Sequence, residues 1–177
     1  MIVVSSGYLK SKEKILVKKY ASYVMNKFVR RGILRKASIG IHVIDNSECS
    51  QYTTEEKLDF RSCSAWSTYD KVVDGRKYFT VVVNRKLMTK AKKPVIKLRD
   101  VLVTVGHELV HVKQYLNGEI FDYKSGDVRY KGQYFDSSYQ ESEESYYDSP
   151  WEIEAYGRET GLYRMFVSKI RQEAASK

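Results

Sequence analysis

Residues 107 to 111 read HELVH, so two of the chain's three histidines stand four positions apart with a glutamate directly after the first. On a helix this spacing puts both imidazoles on one face, one turn apart, where they can bind a single Zn²⁺ ion. The intervening glutamate can then act as the general base of a hydrolytic reaction. The motif therefore predicts His107 and His111 as zinc ligands and Glu108 as the catalytic residue.

The helix that must carry this motif is predicted from Pro94 to about Asn117, with Gly118 as its C-cap. Its leucines and valines cluster on one side, and the two histidines lie on the other. Histidines buried in an ordinary core would lie on the apolar side. An ordinary exposed face would carry lysine and glutamate, and this face has neither. We therefore expect a buried helix whose second face lines a cleft.

A catalytic zinc site normally takes three protein ligands and leaves a fourth position for water. The HExxHxxGxxH completion is excluded because Gln114 and Asn117 stand where it needs glycine and histidine. The remaining histidine, His42, lies on a predicted strand and stays an alternative third ligand. A carboxylate is the stronger candidate.

The segment SPWEIEAYGRETGLYRMFVSKI, residues 149 to 170, predicts a final helix with Ser149 as N-cap and Pro150 in its first position. Glu152 falls in the middle of the apolar arc of this helix. A buried carboxylate needs a cation or hydrogen bonds, so we predict Glu152 as the third ligand. The alternative is a first-turn acid favoured by the helix dipole. Glu159 and Asp100 are candidates to accept the free N–H of a ligating histidine.

The other elements are predicted from apolar periodicity and turn residues. An amphipathic helix covers residues 8 to 31 and stops at Gly32, and Asp74-Gly75 is a turn between two strands. Residues 119 to 149 are expected to form a long irregular loop. The three predicted strands cover residues 37 to 45, 64 to 70 and 78 to 84. This order predicts one α+β domain over residues 1 to 177.

The net charge of +9 is unevenly distributed. Residues 10 to 36 and 85 to 99 are basic, whereas residues 136 to 148 carry five acids and no base. The basic segments indicate either nucleic-acid binding or a solvated lysine-rich surface. Two cysteines without motif spacing, no signal peptide and no membrane-length apolar run predict a cytoplasmic protein with no membrane partner.

HELVH followed on a later helix by PWEIEAYG resembles the small gluzincin-type zinc metallopeptidases, including compact ones from phage and bacterial genomes. The resemblance implies a zincin-like fold: an N-terminal helix, a small mixed or antiparallel sheet whose edge strand holds the peptide, the active-site helix and a glutamate helix. It implies His107, His111 and Glu152 as ligands, Glu152 belonging to an E-x-x-A pattern with Ala155. Related families often place aspartate after that alanine to support a histidine. Tyr156 stands there in this chain, which leaves that supporting role to Glu159. A SprT-like relation would need a downstream histidine ligand that is missing.

These observations predict a zinc metallopeptidase that hydrolyses peptide bonds through a zinc-activated water, in the host cytoplasm if the protein is phage-encoded. An oxyanion-stabilising tyrosine or arginine is expected from residues 123 to 147 or at Tyr156. One alternative is a nucleic-acid-binding or scaffold protein with a structural zinc site, and another is a latent enzyme whose long loop fills the cleft. The predicted strand for peptide pairing comprises Thr80, Val81, Val82, Val83 and Asn84.

Overall fold

The computed structural model describes residues 1–44, 65–84, 97–140 and 142–176. Within these residues the chain forms five α-helices, one 3₁₀ turn and two β-sheets. The helices are α1 (Ser11–Phe28), α2 (Arg31–Arg35), α3 (Leu98–Leu116), α4 (Glu143–Tyr147) and α5 (Pro150–Ala175), and Ser137–Gln140 forms the 3₁₀ turn. The strands are β1 (Ile2–Ser6), β2 (Ala37–Ile44), β3 (Ala65–Val73), β4 (Arg76–Asn84), β5 (Ile120–Asp122), β6 (Val128–Tyr130) and β7 (Gln133–Phe135).

The larger sheet is mixed and has the strand order β1-β2-β4-β3. β1 and β4 both run parallel to β2, and β3 is antiparallel to β4. The β3–β4 hairpin turns at Asp74 and Gly75, whose φ angles of 49° and 70° suit the two-residue turns that match strand twist. The predicted Asp-Gly turn is confirmed.

One face of this sheet packs against helices. Alternate residues of the central strands β2 and β4 point into this core, which α1, α3 and α5 complete. α1 buries Val17, Tyr20, Ala21 and Val24 at helical spacing. Gly106 of α3 has no room for a side chain, because a Cβ atom there would clash with the Tyr20 hydroxyl. A glycine directly before the HELVH motif thus allows α1 to approach α3 closely.

The smaller sheet has the order β5-β6-β7 and its own apolar cluster, formed with Trp151 at the start of α5. It occupies much of the segment that we predicted to be an irregular loop, residues 119 to 149, so that prediction is wrong. The sheet has three-residue strands, which are too short to show alternation clearly in a sequence.

The α+β class and the mixed sheet are confirmed, with three corrections. β1 was not predicted, although its IVVSS sequence alternates in burial. The first helix ends at Phe28 rather than near residue 31, and Gly32 lies inside α2 instead of stopping the helix. The HELVH helix begins at Leu98, and Pro94 lies outside the described residues. None of the helices in the described part of the chain is long and apolar enough to cross a membrane.

The strand assignment for peptide binding also needs correction. β4, which contains Thr80 to Asn84, lies between β2 and β3 and is hydrogen-bonded to both. A strand paired on both sides has no free backbone groups for an added peptide. Among the described strands, β3 is the edge next to α3.

Candidate metal centre

Three predicted ligands meet between α3 and α5. The Nε2 atoms of His107 and His111 lie 3.2 Å apart. Glu152 Oε2 is 3.2 Å from the first Nε2 and Glu152 Oε1 is 3.3 Å from the second. All three residues are buried, and they form a group whose ligand atoms lie within 4.8 Å of one another.

The two helices place these side chains for simple reasons. His107 and His111 are one helical turn apart on α3, so their rings lie on the same face, where they meet edge to face. Glu152 stands in the first turn of α5, two residues after Pro150, and a proline fits the first position of a helix. Ala155, one turn further on, is fully buried in the core shared by both helices. Its small side chain lets α5 lie close enough for Glu152 to reach both rings.

Hydrogen bonds to Gln114 determine which nitrogen of His111 carries the proton. The Gln114 Nε2 group donates to the Trp151 carbonyl at 3.1 Å and to Glu154 Oε2 at 3.2 Å, and both of these partners can only accept when Glu154 is ionised. The Gln114 amide oxygen must therefore be the atom that lies 3.0 Å from His111 Nδ1. Since an amide oxygen accepts, Nδ1 of His111 donates, and its Nε2 has a free lone pair in the neutral ring.

His107 has the same arrangement with a different partner. Its Nδ1 lies 3.2 Å from Glu159 Oε2, a carboxylate that accepts the N–H. The Nε2 lone pair of His107 therefore also points inward. Two imidazole lone pairs and a carboxylate thus face one another, an arrangement that repels itself unless a cation or protons lie between them.

The separations are close to those of a metal site. Zinc binds histidine nitrogen and carboxylate oxygen at about 2.0–2.2 Å with tetrahedral angles, which places neighbouring ligand atoms about 3.3–3.6 Å apart. The two Nε2 atoms are 3.2 Å apart, and a different oxygen of Glu152 lies 3.2 Å from His107 and 3.3 Å from His111. His107, His111 and Glu152 could therefore hold one divalent ion after small shifts of their side chains.

The electrostatics of the centre also favour positive charge. Burial lowers the pKa of His107, but Glu152 and Glu159 outweigh burial and raise that pKa to about 10. The pKa of His111 is likewise raised, because Glu152 outweighs the opposing effect of burial. Burial raises the pKa of Glu152, yet the two histidines bring it down to about 2, so the carboxylate stays ionised.

Glu108 lies beside the ligands, between α3 and the sheet. It is buried, and burial raises the pKa of its carboxyl although the neighbouring histidines oppose this. Its side chain hydrogen-bonds Ser67, which belongs to β3. Ser67 pairs with Val81, a core residue, and therefore points to the helix side of the sheet. The edge strand thus runs past the candidate base.

Three tyrosines line the centre on the side of α4 and α5. The Tyr156 ring lies 4.4 Å from the His107 ring, and Tyr147 lies 5.6 Å from Tyr156. Tyr146 contacts the Glu152 carboxylate, and burial together with this contact raises the pKa of its hydroxyl. Tyr146 falls inside the 123 to 147 segment in which an oxyanion-stabilising residue was expected.

Two predicted residues are not brought to the centre. Asp100 lies in the first turn of α3, about two helical turns before His107. His42 lies on β2, on the face opposite Ile41 and Val43, which pack against the helices. Its position removes it from the ligand set.

A second cluster of charges surrounds Glu154, two residues after Glu152 on the other side of α5. Glu154 Oε1 is 2.8 Å from Lys113 Nζ and 2.9 Å from Arg158 Nε, and Glu154 Oε2 accepts from the Tyr130 hydroxyl at 2.6 Å. Burial raises the pKa of Glu154, but Lys113, Tyr130 and Gln114 outweigh it and hold the pKa well below its usual range. Gln114 links this cluster to His111, because it hydrogen-bonds both Glu154 and His111.

Sequence reasoning gives no role to Gln114, Ser67 or Glu154, and it covers Tyr146 only as one residue of the 123 to 147 segment. For Gln114 a signal was present, because it stands three residues after His111 on the same helix face. The other three come from different elements, and their approach to the centre depends on tertiary packing.

Compared with models of known families, with curated proteins and with solved structures, the chain matches none of them.

Proposed function

We propose that this protein is a zinc-dependent peptidase whose metal is held by His107, His111 and Glu152. One observation carries the proposal: ligand atoms of two histidines and a glutamate lie within 4.8 Å of one another, while the outer nitrogens of both histidines are held by Glu159 and Gln114. Three ligands from the described residues leave a fourth position, as catalytic zinc sites do and closed structural sites do not. This supports hydrolysis over the alternative of a structural zinc in a nucleic-acid-binding or scaffold protein.

A bound zinc ion would supply Lewis-acid chemistry, lowering the pKa of a water molecule and polarising a carbonyl group. Glu108 is the residue that takes the water's proton on its carboxylate and delivers it to the leaving amine. Its position next to His107 in the chain, and its burial against β3, put that carboxylate between the ligands and the edge strand.

The substrate in this proposal is an extended peptide that pairs with β3. The strand covers Ala65–Val73 and is the edge of the described sheet next to α3, with Ser67 pointing to Glu108. Backbone pairing there would lay a peptide along the metal centre. The Tyr146 hydroxyl is protonated at neutral pH and hydrogen-bonds Glu152, and it is the proposed donor to the developing oxyanion when that carboxylate binds the metal instead.

The test combines metal analysis with one isosteric substitution. Purified protein should contain one zinc per chain and cleave an unstructured, fluorophore-labelled polypeptide until EDTA is added. Glu108→Gln should keep its zinc and lower kcat/KM by about 10²–10⁴-fold, the usual contribution of a general base. Glu173→Gln, the same change at an exposed position of α5, should behave as wild type. Protein that takes up no stoichiometric zinc would exclude the proposal.

A further inference from the structure

A groove of about 760 Å³ lies between α1 and α5, away from the metal centre. Phe166, in the groove, follows Glu152 by fourteen residues, or about 21 Å along the helix axis. The residues of α1 that line it recur at three- and four-residue intervals, and so do those of α5. Two helix faces of this spacing, side by side, form a channel in which a third helix can pack.

The floor of the groove is apolar. Phe166 is buried at its base, Tyr23 and Ile170 are half-buried, and Ile15 is 56% exposed. An aliphatic side chain of this size exposed beside an aromatic floor gains free energy when a partner covers it, about 25 cal/mol for each Å² of apolar surface removed from water. The floor therefore suits leucine-sized or phenylalanine-sized side chains of a partner.

The rim is basic. Lys18, Lys19, Lys27 and Lys169 line the groove together with one acid, Glu173, which lies 3.3 Å from Lys169. The lining residues thus carry a net charge of +3. A second copy of this groove would repel the first, and a phosphate backbone has no apolar face for the floor. An amphipathic helix with glutamate and aspartate along its flanks satisfies both the floor and the rim.

We propose that this groove binds an acidic amphipathic helix of a partner protein, in the helix-in-groove manner. Leucine-type residues of the partner lie on Tyr23, Phe166 and Ile170, and its acidic flanks face the lysines of α1. The proposal is independent of the metal centre, because it uses none of the residues placed there. It also assigns part of the basic segment of residues 10 to 36 a protein partner rather than nucleic acid.

The probe is a synthetic, fluorescein-labelled 18-residue helix with leucine at i, i+3, i+4 and i+7 spacing and glutamate elsewhere. Fluorescence anisotropy at near-physiological salt should show saturable binding to the full chain with one peptide per protein. Replacing the leucines of the peptide by serine keeps its charge and should weaken binding at least about tenfold, because no apolar side chain of the peptide is then buried on the floor of the groove.

Variants of the protein locate the binding site. Lys18→Glu and Ile170→Glu should each weaken binding at least about tenfold. Lys12→Glu and Lys124→Glu make the same charge change as Lys18→Glu at exposed lysines outside the groove, and each should weaken it less than about twofold. Circular dichroism checks that all four variants remain folded, and Lys18→Glu changes an exposed side chain on a helix surface.

Three results would overturn the proposal. One is no saturable binding of the leucine-containing helix. Another is equal weakening by Lys12→Glu and Lys18→Glu, which would mean general charge attraction. The third is that duplex DNA displaces the peptide and binds Ile170→Glu as tightly as it binds wild type. Nucleic acid, and not a helix, would then be the occupant of the groove.

Discussion

Glu152 and Glu154 stand two residues apart near the start of α5; Glu152 is buried, Glu154 is nearly so, and both carboxylates are held in the ionised form. Their surroundings differ in one respect. Glu154 meets Lys113, Arg158 and Lys131, so the chain itself neutralises its charge. Among the described residues Glu152 contacts two histidines and a tyrosine. Each imidazole ring turns its Nε2 atom toward the carboxylate.

This difference in neighbouring charge distinguishes a structural carboxylate, Glu154, from a candidate metal ligand, Glu152, without comparison to any similar protein. A buried charge requires an opposite charge, and for Glu154 that charge is in the sequence. For Glu152 it must come from protons on the histidines or from a bound ion. The outer nitrogen of each ring donates to an acceptor, as in metal-bound histidines, which leaves Nε2 as the atom that would bind the ion.

The largest expected effect comes from removing the charge of Glu152. Glu152→Gln should lower zinc affinity by about 10³-fold or more, beyond the 10–100-fold that is usual for residues that only support a ligand. Competition with a chromophoric chelator measures this, and circular dichroism should show an unchanged helix content. Undiminished zinc affinity in Glu152→Gln would mean that the two carboxylates do not differ as described.

The matching change at Glu154 should affect stability. Glu154→Gln leaves Lys113 buried with Glu119 as its remaining acid, 2.5 Å away. Breaking a buried ion pair costs about 3–5 kcal/mol, and because one partner remains we expect the free energy of unfolding to fall by about 2–3 kcal/mol. Urea unfolding in the presence of EDTA measures this without any contribution from metal.

Glu173→Gln is the control for that loss. Glu173 pairs with Lys169 on the same helix at 3.3 Å, but both side chains are more than half exposed. Exposed i, i+4 pairs contribute about 0.3–0.5 kcal/mol, so this variant should unfold at nearly the wild-type urea concentration. Equal losses in the two variants would show that Glu154 is no more structural than a surface acid.

Much of this comparison could be predicted from helical periodicity. The His-bearing face of α3 and the inward position of Glu152 follow from 3.6 residues per turn, and the structure places both as expected. By the same periodicity Glu154 falls on the side of α5 opposite Glu152, facing away from the core. It is nearly buried there because the β5–β7 sheet covers that side, with Tyr130 donating to it. A wheel describes one helix and carries no information on a neighbour that comes from another segment.

The substrate strand shows the same limit. Residues 78 to 84 have the β-branched and aromatic content of a strand, and they form one. Which strand lies at the edge depends on the order in which strands pair, and β1, which was missed, adds a parallel neighbour to β2. Local composition cannot report that order, because it is decided by connections between distant segments.

Gln114 connects Glu154 to His111, which in turn contacts Glu152, and its replacement tests whether Gln114 orients His111. Gln114→Met removes the amide oxygen that accepts from Nδ1 while keeping a side chain of similar length. Zinc affinity should fall about 10–100-fold. In ¹⁵N NMR of the zinc-loaded protein, the Nδ1–H signal of His111 should exchange faster with water, whereas that of His107, held by Glu159, should not change. Faster exchange at both rings would indicate general loosening instead of lost orientation.

Glu159→Gln should lower zinc affinity least of the three metal-centre variants, because the substituted amide still offers an oxygen to His107 Nδ1. The carboxylate is also partly exposed, with 23% of its side-chain surface accessible, so water screens its charge. We expect zinc affinity to fall less than about tenfold, at or below the low end for a supporting residue. The Nδ1–H signal of His107 should remain protected from exchange. Glu159→Gln could instead lower zinc affinity as much as Gln114→Met does. The negative charge of Glu159, rather than its acceptance of a hydrogen bond, would then be what supports His107. The neutral Gln114 would then be a weaker support for His111 than Glu159 is for His107.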